Sequence, residues 1–173
     1  MPSNIEIKAR VSNPERLRML AERLSDTPAE TIEQHDTFFP CAHGRLKLRK
    51  FSAHAGELIS YSRADVAGTK QSDYAIAPTT APGELRAVLA AALGVQRTVI
   101  KTRVLLLTGQ TRIHLDSVVG LGSFVELEVV LRAGQPAEDS HRMARELMSA
   151  LEIDDRDLIE GAYADLLPSE GRT

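Results

Sequence analysis

A two-residue alternation of apolar and polar positions runs through most of this chain. In residues 4–11, Ile5, Ile7, Ala9 and Val11 fall on one side of the repeat, and Glu6, Lys8 and Arg10 on the other. That is the pattern of a strand with one buried and one polar face. Similar segments at 34–40, 45–52, 57–64, 70–77, 96–107, 111–118 and 123–132 read as further strands. Turns at His43-Gly44, Ala53 to Gly56, Thr108-Gly109-Gln110 and Gly120-Leu121-Gly122 link several of them as antiparallel hairpins.

Helical periodicity interrupts the strands three times. Asn13 and Pro14 open a helix with Leu17, Leu20, Ala21 and Leu24 on one stripe. Ala81-Pro82 opens a second, with Leu85, Val88, Leu89, Ala92 and Leu93 apolar and Gly94 as its stop. Gln135-Pro136 opens a third, carrying Met143, Ala144, Leu147, Met148 and Leu151. A short helix is expected at Tyr163 to Leu167, followed by a frayed tail over 168–173. About eight strands and three or four helices predict an α+β fold, an antiparallel eight-stranded closed barrel with peripheral helices, as one domain over 1–173.

The polar faces carry the candidate chemistry. Lys8, Arg10, Arg45, Lys47, Arg49, Lys101, Arg103 and Arg112 alternate with apolar neighbours, joined by the carboxylates Glu6, Asp116, Glu126 and Glu128. Strand geometry sets such side chains about 7 Å apart along a face. Two readings fit. The faces are solvated, with cross-strand ion pairs worth under about 1 kcal/mol each; or they line an interior that binds a polyphosphate. In the second reading Arg and Lys grip phosphate oxygens, and the carboxylates hold a hard divalent cation that bridges to them.

Composition narrows the setting. The net charge of −3 gives no bulk attraction to nucleic acid or anionic membrane, so any basic site is local. No apolar run approaches the roughly 20 residues of a membrane helix, and no secretory layout opens the chain, so a cytoplasmic setting is expected. Cys41 is the single cysteine, which excludes an intrachain disulfide and a thiolate zinc site. Aromatic residues make up 4% of the chain, with no Trp, against a stacking platform for single strands. His35, His43, His54 and His141 lack metal-ligand spacing, while His114 sits on a charged strand face as a candidate proton carrier. Phosphate-loop, dinucleotide and nucleophile-elbow motifs are absent.

Several segments, in order, resemble the CYTH superfamily of triphosphate tunnel enzymes, which includes class IV adenylate cyclases and thiamine triphosphatases. They are Ile5-Glu-Ile-Lys-Ala-Arg10, Arg45-Leu-Lys-Leu-Arg49, Gly68-Thr-Lys-Gln-Ser-Asp-Tyr74, Lys101-Thr-Arg103, Val125-Glu-Leu-Glu-Val129 and Tyr163-Ala-Asp-Leu-Leu167. The resemblance implies a triphosphate tunnel using Mg²⁺ or Mn²⁺. It makes Glu6, Glu126 and Glu128 metal ligands, and Lys8, Lys47, Arg49, Arg63, Lys70, Lys101 and Arg103 phosphate-binding residues. Lys8, Asp116 and Glu126 are implied at the catalytic centre.

The chain departs from the family's Glu-x-Glu-x-Lys signature at its first position, where Asn4 offers a neutral oxygen. Three functions follow as expectations. The first is cyclisation of ATP to cyclic AMP and pyrophosphate. The second is hydrolysis of tripolyphosphate, thiamine triphosphate or a nucleoside triphosphate. The third is a non-catalytic phosphorylated-ligand module, prompted by Asn4. No nucleic acid or membrane partner is expected, and a homodimer is left open.

Overall fold

The computed structural model describes residues 1–168. Eight strands form the body: β1 (Ser3–Arg10), β2 (Glu30–Phe39), β3 (Arg45–Ser52), β4 (Ala55–Arg63), β5 (Lys70–Thr79), β6 (Arg97–Thr108), β7 (Thr111–Val118) and β8 (Gly122–Val130). Helices α1 (Pro14–Leu24), α2 (Pro82–Leu93), α3 (Ala137–Ala150) and the single turn α4 (Tyr163–Leu166) surround it. All neighbouring strands are antiparallel, in the closed order β1-β5-β4-β3-β2-β6-β7-β8. The α+β closed barrel predicted from alternation is the fold observed. Closure leaves β1 hydrogen-bonded on both sides, to β5 through Asn4↔Ser72 and to β8 through Lys8↔Glu126.

Two strands are longer than the apolar pattern predicts. β2 begins at Glu30 because its first residues, with only Ile32 apolar, continue the ladder to β6 from Glu30↔Leu105 onward. β5 runs through Pro78 to Thr79, paired with Glu57 and Gly56 of β4. Its pairing with β1 covers only 70–73, so Pro78 lies where β5 has a neighbour on one side. The β2–β3 hairpin turns at Gly44, whose φ is +62° and where a Cβ would come within 2.5 Å of the Tyr61 carbonyl oxygen, so glycine is required there.

The apolar core lies outside the barrel wall. Ile7 and Ala9 of β1, Leu106 of β6, Ile113 of β7 and Val125 and Leu127 of β8 pack against Leu17 and Ala21 of α1, Met148 of α3 and Leu151. Ile5, Val129 and Ala144 of α3 extend it. Each fully buried aliphatic side chain here contributes about 1.5–3 kcal/mol relative to exposure. Helix α1 starts as predicted, with the Asn13 side chain accepting from the Arg16 amide at 3.0 Å. Helix α2 forms where predicted, but its apolar stripe is largely uncovered: Val88 and Leu93 are exposed and only Pro82 is buried. At the C-terminus the expected frayed tail begins at Pro168, which is exposed; 169–173 lie outside the described residues.

Candidate functional site

Because the outward positions hold the core, the alternate positions point inward and line a cavity of about 350 Å³. The inward positions include Asn4, Glu6 and Lys8 of β1, Asp36 and Phe38 of β2, and Lys47 and Arg49 of β3. Glu57 and Arg63 of β4, Lys101 and Arg103 of β6, Arg112 and His114 of β7, and Glu126 and Glu128 of β8 complete the charged lining. A solvated outer face is ruled out by burial: Lys8, Lys101 and Arg103 are exposed by 5%, 3% and 4%.

The charges are organised in linked groups. On one wall Asp36 receives Arg49 through two bonds of 2.8 and 2.7 Å and Lys47 at 3.3 Å. Burial alone would raise the Asp36 pKa, yet Arg49 and Lys47 hold it well below the usual carboxylate range. On the facing wall Arg103 makes two 2.7 Å bonds to Asp116 and one of 2.9 Å to Glu126. Lys8 stands 3.9 Å from Glu126. Glu6 pairs with Arg63, and Glu128 with Arg112.

Cations crowd together here. Burial, reinforced by neighbouring arginines, pushes Lys101 down to about 7 and Lys47 down to about 8. An anion in this cavity would favour the charged form of both lysines. Lys70 is likewise lowered to about 8 by burial and then Arg63, and it donates to the Val66 carbonyl at 3.0 Å. It is buried beside the cavity and is not part of the lining.

The cavity is asymmetric. At one end α4 and its approach cover it: Tyr163 is buried, bonds through its hydroxyl to Asp116 at 2.8 Å, and places its ring 4.0 Å from the Lys8 ammonium. Arg63 donates to the Gly161 carbonyl, and Ile159 donates to the Lys8 carbonyl at 2.9 Å, tying this segment to the barrel. Phe38, Val99 and Phe124 are buried at the same end. At the other end the lining gains the apolar side chains Ile32, Phe51, Ile76 and Leu105, half-buried or exposed (Ile76 by 48%), beside Glu57, Arg112 and Tyr74.

Some sequence candidates take other places. Asp116 has both carboxylate oxygens engaged by Arg103, with Lys101 at 3.5 Å and Tyr163 also bonded to it, and it stands behind the lining. Its geometry is that of a positioning group for two cations. Arg10 is exposed over the Phe124 ring, and Arg45 turns to Asp65 and Asp165. Two residues of the cavity were given no site role by the sequence reading. Asp36 anchors Lys47 and Arg49, which only the β2–β3 register Asp36↔Arg49 reveals. Tyr163 closes the cavity, and its position in a short C-terminal helix gave no sign of that contact.

A divalent ion would find donors in the acidic wall. Glu126, Glu128 and His114 each offer one atom, all within 4.8 Å of one another. The Asn4 side-chain oxygen and His114 Nδ1 are buried without a hydrogen-bond partner. The carboxylates and the amide oxygen are hard oxygen donors of the kind that fits Mg²⁺ or Mn²⁺. Glu6, the third expected ligand, is drawn to Arg63 instead, and its pKa is raised by burial and by Glu126. Burial pushes His114 down to about 4, with Arg103 adding to the effect.

Comparison with known proteins agrees with this architecture. The family model for the CYTH domain matches residues 3–163, so the chain belongs to the CYTH domain family. Among solved structures it resembles the PH1012 protein of Pyrococcus horikoshii OT3, at 20% identity and a TM-score of 0.84, over 95% of this chain and 99% of that one. A structure named as a candidate adenylate cyclase of Vibrio parahaemolyticus matches at 16% identity and TM-score 0.75, over 94% and 96% of the two chains. A Hippeastrum protein, named as a candidate adenylyl cyclase with a dominant triphosphatase activity, matches at 17% identity and TM-score 0.63, over 92% and 91%. At these identities the likeness is one of fold. No curated protein matches the sequence significantly.

Proposed function

We propose that the protein binds an organic triphosphate in its barrel and, with ATP, forms a cyclic nucleotide and pyrophosphate. The observation that supports this is the asymmetry of one cavity: buried cations beneath α4, and at the opposite end a mixed rim where four apolar side chains stand beside Glu57, Arg112 and Tyr74. A triphosphate tail suits Lys8, Lys47, Arg49, Arg63, Lys101 and Arg103, and a base and ribose suit Ile32, Phe51, Ile76 and Leu105. Inorganic tripolyphosphate has no group for that rim.

In the cyclase reaction the ribose 3′-oxygen attacks the α-phosphorus. The bond from that phosphorus to the oxygen bridging to the β-phosphate breaks, and pyrophosphate leaves. The cations bind pyrophosphate as its charge develops. The hydroxyl proton passes to a carboxylate of the acidic wall, where Glu6 carries the raised pKa suited to accepting it. Glu126 and Glu128 would hold Mg²⁺ or Mn²⁺, which supplies a Lewis acid and a template for phosphate oxygens when bound. Asp116 and Asp36 orient the cations and contact no substrate.

The test is to incubate the protein with ATP, tripolyphosphate or thiamine triphosphate, each with Mg²⁺ or Mn²⁺, and to separate the products chromatographically. Cyclic AMP with pyrophosphate is the expected outcome with ATP. Orthophosphate would assign the same grip to a water nucleophile and a triphosphatase. Binding without product would assign the chain, with its Asn4, to a phosphorylated-ligand module.

A further inference from the structure

We propose that His114 is itself a metal ligand, and that its nitrogen makes the acidic wall selective for Mn²⁺ over Mg²⁺. The inference rests on the metal-dependent reading above and concerns which ion the site takes.

His114 lies on β7 directly opposite Glu126 of β8, and Arg112, two residues earlier, lies opposite Glu128. Cross-strand neighbours of this kind carry their Cβ atoms about 4.5–5.5 Å apart, so the His114 ring reaches both glutamates. Its Nδ1 is 4.0 Å from Glu126 Oε2 and 3.9 Å from Glu128 Oε1. Both distances exceed hydrogen-bond reach, and Nδ1 is buried with no partner, in a residue only 4% exposed. A buried nitrogen left unpaired between two carboxylates is unfavourable unless something else occupies the gap.

The gap has the size of an ion. Metal–ligand bonds of about 2.0–2.2 Å let two ligands of one ion stand up to about 4.4 Å apart. The three donor atoms lie within 4.8 Å of one another, and an ion there would share Glu126 Oε2 with Arg103, which donates to it at 2.9 Å. Arg112 occupies Glu128 Oε2 and leaves Oε1 as the oxygen nearer His114. Asn4, on the strand beside β8, adds an orphaned buried oxygen to the same cavity.

The ligand chemistry fixes the preference. An all-oxygen site suits Mg²⁺, whereas an imidazole nitrogen suits first-row transition ions. Asn4 lowers the negative charge available to the ion, and His114 returns a donor that Mn²⁺ uses better than Mg²⁺. A purely structural His114, held by two acidic neighbours, predicts no nitrogen in the coordination sphere.

The test is pulsed electron paramagnetic resonance on the full chain loaded with Mn²⁺ and without substrate, alongside calorimetric titration with Mn²⁺ and Mg²⁺. Nitrogen modulation on the Mn²⁺ signal is expected in the wild type and is lost in His114→Gln. The Mn²⁺ affinity of that variant is expected to fall by about tenfold, with a smaller change for Mg²⁺. Bound Mn²⁺ without nitrogen modulation in the wild type overturns the inference and leaves the metal-dependent reading standing. No binding of either ion overturns both. The wild-type spectrum decides the matter even if the variant fails to fold.

Discussion

Strand β1 has two faces with opposite duties. Its outward residues Ile5, Ile7 and Ala9 are fully buried in the apolar core, where they hold the barrel to its helices. Its inward residues Asn4, Glu6 and Lys8 are also buried, among charges and an unpartnered amide. Burying an ion pair rarely stabilises a fold more than packed hydrocarbon of the same volume. The outer face therefore supplies stability, and on the proposed function the inner face keeps its charge for a ligand.

Substitutions on the two faces should separate those duties. The largest stability loss is expected outside: Leu127→Ala should destabilise the protein by about 2–5 kcal/mol in denaturant titration. Triphosphate affinity should be nearly unchanged while the chain stays folded. On the inner face, Asp36→Asn strands the buried Lys47 and Arg49 and should cost about 3 kcal/mol. A loss as small as that of a surface ion pair would show that this wall is not desolvated.

A smaller effect comes from pH. The folded-state values of Lys101 and Lys47, about 7 and about 8, lie below their ordinary value of 10.5. The unfolded chain therefore holds more protons than the folded one above pH 7. The contribution of these lysines to unliganded stability rises as pH climbs from there toward 10. A bound triphosphate favours the protonated lysines, so affinity should fall as pH rises through 7 to 9. Calorimetry in buffers of different ionisation heat should register proton uptake on binding. Least of all, Arg18→Ala removes an exposed pair with Glu22 on α1 and should shift stability by under about 0.5 kcal/mol.

The sequence carried the wall better than the site. Alternation such as Ile5-Glu6-Ile7-Lys8 exposed the strands and both of their faces, and β1 is buried on both sides by different chemistry. It could not say which side was interior, since closure depends on β1 meeting β5 and β8, elements far apart in the chain. Glu30 to Glu33 of β2 were missed because a strand with little apolar content looks like a loop. Asp116 was legible as a carboxylate on a charged strand, but its two bonds to Arg103, which make it a positioning group, follow only from the β6–β7 register Arg103↔Asp116. The partnerless Nδ1 of His114 likewise depends on packing that one sequence does not display.

The most direct measurement is the melting temperature and ATP affinity of Lys101→Met beside the wild type. Lys101 is 3% exposed, 3.5 Å from Asp116, whose two oxygens Arg103 already holds, and crowded by Arg103. If the interior holds its charge for a triphosphate, the variant should melt at or above the wild-type temperature without ligand and bind ATP at least about tenfold more weakly. A variant that melts lower and binds ATP as the wild type does would contradict that claim and make the inner charges part of the scaffold.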